Sequence, residues 1–217
     1  MLGALQDRLT ELYGVETDYR IDDFLITDPA LARLLGRDSL LADTDETVLV
    51  SQDEAGLAMS VYLDEDMLER LERDDPLTNL RPDRLADLWT ALEGVSHFTY
   101  LAFSAQHDKS VTLLELELQA EIDKFVSTWL IALQQDDVAL AGRLHGWLFD
   151  DVSFHPQLSA AQRERYRAAS DYAARFCHRL SGRLHSDDER GLAELRHFYR
   201  LTQARKIGHI HSQAWAH

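Results

Sequence analysis

Residues 84–135 read RLADLWTALEGVSHFTYLAFSAQHDKSVTLLELELQAEIDKFVSTWLIALQQ, and this stretch decides the fold class. In its first half Leu85, Leu88, Trp89, Leu92, Val95, Ser96 and Thr99 recur at three- and four-residue steps, the spacing of one helix face. At about 100° per residue, Ala86, Thr90, Glu93, His97 and Leu101 form a second strip, with Glu93 and His97 one turn apart. In the second half Leu114, Leu118, Ile122, Phe125 and Trp129 make the main apolar face. Glu117, Glu121, Lys124 and Thr128 stack along the strip beside it. The connection at Ala105–Lys109 is short, which favours antiparallel neighbours, and Ser110 is the expected N-cap of the second helix.

Ionisable residues on two otherwise apolar helices admit three readings. The plainest is a buried hydrogen-bonded network, Glu93 with His97 and Glu117 or Glu121 with Lys124, because buried charges must be paired. A solvated charged face is the second. The third is a metal or acid–base site with Glu93, His97, Glu117 and Glu121 as ligands and Lys124 orienting a carboxylate or substrate. Imidazole and carboxylate suit iron, manganese or zinc. The pattern departs from the two-metal carboxylate bundles, which use Glu-x-x-His in two copies, and His-Glu-x-x-His is absent.

Working outward, a chain of 217 residues with 45% hydrophobic content can bury a sizeable core. No run approaches the length of a membrane span, and MLGALQDRLTELYG carries charges where a signal peptide would be apolar. These features lead to the expectation of a cytoplasmic protein. The single cysteine, Cys177, cannot form an internal disulfide and reads as a small buried hydrophobe on a helix.

Charge is uneven along the chain. Residues 1–76 hold 20 acids against 6 arginines, residues 77–159 hold 12 against 5 basic residues, and residues 160–217 reverse the balance with 6 against 11. The net charge of -16 repels nucleic acid and anionic membranes, and no zinc-finger spacing or RNA-binding aromatic motif is present. The expected partner is therefore a protein or a second copy of the chain, with no nucleic acid and no membrane.

The N-terminal third reads as a small α+β unit. Leu2, Leu5, Leu9 and Leu12 define a short helix stopped by Gly14, Asp18–Thr27 reads as a strand, and Asp28 caps a helix through Leu35 with Pro29 at its first position. Thr47–Ser51 and Leu57–Leu63 make a hairpin, with Leu57, Met59, Val61 and Leu63 on one face. The sequence predicts an antiparallel sheet of about three strands, covered by a helix over Glu65–Arg73. Asp22, Asp23, Asp64, Glu65 and Asp66 lack the spacing of a calcium loop and read as caps and surface. DDPLTNLRP at 74–82 marks a boundary, giving units 1–76 and 77–217 or one continuous domain.

Beyond the central pair the pattern gives helices over Asp137–Phe149, from Ser159 to about Leu184, and from Asp187 or Asp188 to about Arg205, ended by Gly208. His209, His211 and His217 in the tail read as incidental residues of a frayed terminus, as part of a segment docked through Ile207, Ile210 and Trp215, or as a metal or phosphate contact. The positively charged last helix and tail could dock on the acidic N-terminal unit, within the chain or in a dimer. The fold class is α+β: a small sheet-containing unit packed on a C-terminal bundle of about five helices. Phosphate-binding glycine loops and nucleophile elbows are absent. The leading functional expectation is a non-catalytic binding or regulatory module without a cofactor. The alternative is a metal-dependent enzyme centred on Glu93 and His97.

Overall fold

The central stretch forms α4 (Leu85–Gln106) and α5 (Leu113–Gln134). Their side-chain pairings run antiparallel: Trp89 Nε1 donates to Thr128 Oγ1 near one end and Tyr100 Oη donates to Glu115 Oε1 near the other. The N-cap of α5 is Thr112, whose hydroxyl accepts from Glu115 N, and not Ser110, two residues earlier. The two helices are buried on several faces because neighbours surround them: α8 (Ala160–Ser186) lies on α5, while α1 (Leu2–Tyr13), α3 (Glu65–Arg73) and strands β2 (Glu46–Asp53) and β3 (Gly56–Leu63) lie on α4. This computed structural model describes residues 1–36, 45–53, 56–150, 152, 156–186 and 188–212.

The N-terminal elements are α1 (Leu2–Tyr13), β1 (Leu25–Ile26), α2 (Pro29–Gly36), β2 (Glu46–Asp53), β3 (Gly56–Leu63) and α3 (Glu65–Arg73). Gly14 ends α1 in the left-handed region at φ 57°, where glycine avoids the Cβ clash. The sheet order is β1-β3-β2. The hairpin is antiparallel, with Val48 opposite Val61, but β1 runs parallel to β3, so the sheet is mixed and not wholly antiparallel. The strand expected over residues 18–27 shrinks to two residues, Leu25–Ile26, because a helix holds the backbone before it. Gln6 on α1 donates to Tyr19 O and accepts from Ile21 N, which ties this backbone to a helix before it can join a ladder.

Val61 and Leu63 of β3 are fully buried, and the sheet presses on α4 at Gly94. A Cβ there would lie 3.1 Å from Leu63 Cδ2 and 3.3 Å from both Glu46 Cγ and Val61 Cγ1. Glycine thus lets the strands approach the helix closely, at the cost of weaker helix propensity.

Where the sequence suggests one helix over 137–149 there are two, α6 (Val138–Ala141) and α7 (Leu144–Phe149), separated at Gly142 and Arg143. Helix α8 spans Ala160–Ser186 and α9 Asp188–Tyr199, and a separate α10 covers Gln203–Ser212 with Gly208 inside it. Tertiary contacts make the break after Tyr199: Lys109 Nζ donates to Leu201 O at 3.1 Å, and the Glu115 carboxylate accepts from Gln203 N at the start of α10. On a helix, His209 and His211 point about 200° apart; His209 lies 3.0 Å from Glu194 Oε1, while His211 packs on the Tyr172 ring. Trp215 and His217 lie outside the described residues. Two arginines at the end of α9 do dock on the N-terminal helix, through its carbonyls and not its acids, for α9 itself holds three acids against two arginines. Arg196 donates to Leu12 O and Arg200 to Tyr13 O and Gly14 O, carbonyls that α1 leaves unpaired at its C-terminus. Cys177 is fully buried. Among the described residues no helix is long and apolar enough to cross a membrane.

Candidate metal centre at strand β2 and the central helices

Glu93 and His97 lie one turn apart on the α4 face that meets β2, and the close approach at Gly94 brings in Glu46, the first residue of that strand. One ligand atom from each of Glu46, Glu93 and His97 lies within 4.8 Å of the other two. His97 Nδ1 is 3.4 Å from Glu46 Oε1. Its other nitrogen, Nε2, is buried without a hydrogen bond and 3.6 Å from Glu117 Oε2 on α5. The second oxygen of Glu117 is 3.6 Å from Arg165 Nε on α8. Lys124 Nζ closes the other side, donating to Glu93 Oε2 at 3.0 Å and to Glu121 Oε1 at 2.8 Å.

Burial sets the electrostatics here. It pushes the Glu46 and Glu121 carboxyls above their ordinary range despite their cationic neighbours. Burial acts the same way on Glu93, but Lys124 and His97 outweigh it and hold that carboxyl low. For His97 burial opposes the charged form, yet the polar contacts and negative charges of Glu117 and Glu46 prevail and raise its pKa well above 6.5. Lys124, buried between two carboxylates, is held more firmly protonated than a free lysine.

Of the residues singled out from the sequence, Glu93 and His97 converge as the helical spacing suggests. Glu117 stands at the far nitrogen of His97, and Glu121 is engaged by Lys124 rather than turned to the imidazole. Glu46 and Arg165 were not foreseen. Glu46 sits 47 positions before Glu93, at the start of a strand, and its only sequence signal is a carboxylate on the apolar face that continues through Val48.

A groove of about 610 Å³ adjoins the cluster. Its lining includes Thr47 to Ser51 of β2, Ala58 to Ser60 of β3, Leu101, Val111, Leu113 and Leu116 of the α4–α5 region, and Gln162, Arg165 and Tyr166 of α8. A larger open cleft of about 1330 Å³ lies elsewhere, between α1 and the α4–α5 connection, lined by Asp7, Glu11, Glu16, Lys109 and Arg200 among others. It holds no converging set of metal-ligating groups among the described residues.

A second polar network, also missed in the sequence, shares α5 with the cluster. Asp123 accepts from Tyr13 Oη, Ser96 Oγ and Gln119 Nε2, and Gln119 Oε1 accepts from the fully buried Lys206. Each of its charges has a neutral or charged partner, so it reads as the polar joint between α1, α4, α5 and α10. Comparison with models of known protein families, with curated proteins and with solved structures finds no match.

Proposed function

We propose that the chain is a metal-dependent protein that binds one divalent transition-metal ion through Glu46, Glu93 and His97. The observation that carries this reading is the convergence of those three ligand atoms within 4.8 Å. Two carboxylates and one imidazole suit iron, manganese or zinc. The second sphere fits as well. A metal-bound histidine donates its remaining N–H to a carboxylate, and Glu117, itself placed by Arg165, stands at Nε2. Charge balance supports the same conclusion. Without metal, Glu46, Glu93, Glu117 and Glu121 face Lys124, Arg165 and a His97 whose raised pKa favours its proton; an ion taking the imidazole nitrogen would displace that proton, and a divalent charge would offset the two negative charges then left. Three protein ligands leave coordination positions for water or substrate, as catalytic centres require. This favours a metal-dependent enzyme. The second reading, a non-catalytic binding or regulatory module, is supported by the groove between the β2–β3 hairpin and the helices.

The test is elemental analysis of the purified, tag-free protein from cells grown with iron, manganese and zinc, beside Glu46→Gln, Glu121→Gln and the double variant Glu93→Ala, His97→Ala. Near-stoichiometric metal is expected in the wild type and in Glu121→Gln, with loss in the other two. A metal-free wild type, or metal retained without Glu93 and His97, overturns the reading and leaves a buried ionic network.

A further inference from the structure

Lys124 stands inside the carboxylate cluster. Its side chain is buried, and its ammonium donates to Glu93 Oε2 at 3.0 Å and to Glu121 Oε1 at 2.8 Å. Glu93 also supplies one of the three converging ligand atoms of the candidate centre. A carboxylate has two oxygens, so Glu93 serves two cations at once, with Glu46 and His97 completing one side and Glu121 the other. Carboxylates projecting inward from neighbouring helices hold two metal ions about 3.5–4 Å apart in two-metal centres. Here the second cation is an ammonium.

We propose that Lys124 stands in for a second metal ion and limits the centre to one, with Glu93 shared between that ion and the ammonium. The inference rests on the metal reading above. Charge sets the limit first: Glu46, Glu93, Glu117 and Glu121 are offset by Lys124, Arg165 and one divalent ion on a neutral His97. A second divalent ion beside the intact lysine would bury two positive charges without partners, which is costly. Space sets it as well. The oxygens of Glu93 and Glu121 converge on Nζ, and an ammonium between them leaves no gap for an ion that binds carboxylate oxygen at about 2.0–2.2 Å. A cation held by a covalent stem neither exchanges nor yields to a chelator. Glu93 therefore keeps its orientation when the metal leaves, and the centre exchanges a single ion.

The experiment titrates the metal-stripped full chain, Lys124→Glu and Lys124→Ser with manganese(II). Bound metal is counted by elemental analysis after gel filtration, and coupling between ions is read by electron paramagnetic resonance. A glutamate at position 124 ends one bond short of the ammonium, so an ion held by it with Glu93 and Glu121 falls near the place of Nζ; its added negative charge also balances the second divalent ion. Serine leaves room for an ion and its water without adding charge. The wild type is expected to hold about one manganese with the spectrum of an isolated ion, and at least one of the two variants about two, magnetically coupled. Adding Glu121→Gln to that variant should return it to about one, and manganese should raise its urea unfolding midpoint more than that of the wild type. Two ions in the wild type overturn the proposal, as do one ion or two uncoupled ions in both variants, or failure of both to fold with manganese present. A wild type that binds no metal overturns the metal reading and this inference with it; a wild type and variants that all bind one ion overturn this inference alone.

Discussion

Lys206 on α10 is fully buried, and its ammonium makes one hydrogen bond, to Gln119 Oε1 at 2.6 Å. Burial, helped by Lys109 and opposed by Glu115 and Asp123, brings its pKa down from 10.5 to about 7. That drop corresponds to about 5 kcal/mol at about 1.4 kcal/mol per pH unit. The rings of Tyr100 and Phe198, 4.5 and 5.1 Å from Nζ, favour the charged form by about 2 kcal/mol, which leaves about 3 kcal/mol. In the unfolded chain Lys206 keeps its proton up to its ordinary pKa, whereas the folded chain releases it earlier. The unfolded state therefore binds more protons across about two pH units below 10.5, and stability must rise with pH across that window and be independent of this group below it. The perturbation is Lys206→Met, which keeps the apolar stem and removes the titration. Its unpaired Gln119 oxygen costs a constant amount at every pH and leaves the slope untouched. Urea unfolding followed by tryptophan fluorescence, at intervals from pH 6 to 10.5, should show the wild type gaining about 3 kcal/mol on the variant, all of it above pH 7. Parallel profiles for the two proteins would refute the reasoning.

Gly94→Ala should gain helix propensity yet lose stability by about 1–2 kcal/mol, since its Cβ meets Leu63, Val61 and Glu46 at 3.1–3.3 Å; it should also weaken metal uptake by moving Glu46, and unchanged metal affinity would count against the proposed centre. Lys124→Met leaves Glu93 and Glu121 without their shared cation and should cost about 3–5 kcal/mol in the metal-free protein; a denaturation midpoint equal to that of the wild type would show the pair to be solvated. Tyr13→Phe removes a hydroxyl that donates to Asp123, with an expected loss of about 1.5–3 kcal/mol. The Asp123 carboxyl, already pushed up to about 6 by burial, should titrate higher still in carbon-detected NMR, and an unchanged titration would remove Tyr13 from the network.

The helices and the hairpin were readable because their causes are local. Apolar spacing places α4 and α5, Gly14 stops α1, and Asp64 caps α3 by accepting from Met67 N. What the sequence concealed depends on distant partners. Gln6 draws residues 19–21 out of a strand, and Glu115 starts a new helix at Gln203, 88 positions away. The candidate centre divides along the same line. Glu93 and His97 share a turn and so announce each other, and Glu117 of α5 stands at the far nitrogen of His97 as its strip suggests, but the third group of the cluster, Glu46, comes from the sheet. A helical wheel carries no information about which strand will cross it, and Gly94, the residue that admits Glu46, looks in the sequence like a mere weakness in a helix.

The clasp of Arg196 and Arg200 on the end of α1 joins residues about 185 positions apart. At about 5–20 residues per second of synthesis, α1 waits about 10–40 s before the residues that tie off its last carbonyls exist. Of the described helices α1 is made before the others, yet the carbonyls at its end are tied off only by residues made late. In refolding of the full chain, contacts that close shorter loops, those of α5 with α4 and α8, are expected to form before α1 reaches α4 and α9 across longer ones. Pulsed hydrogen exchange during refolding should protect amides of α5 before those of α1, and simultaneous protection would show that the long-range clasp forms with the rest.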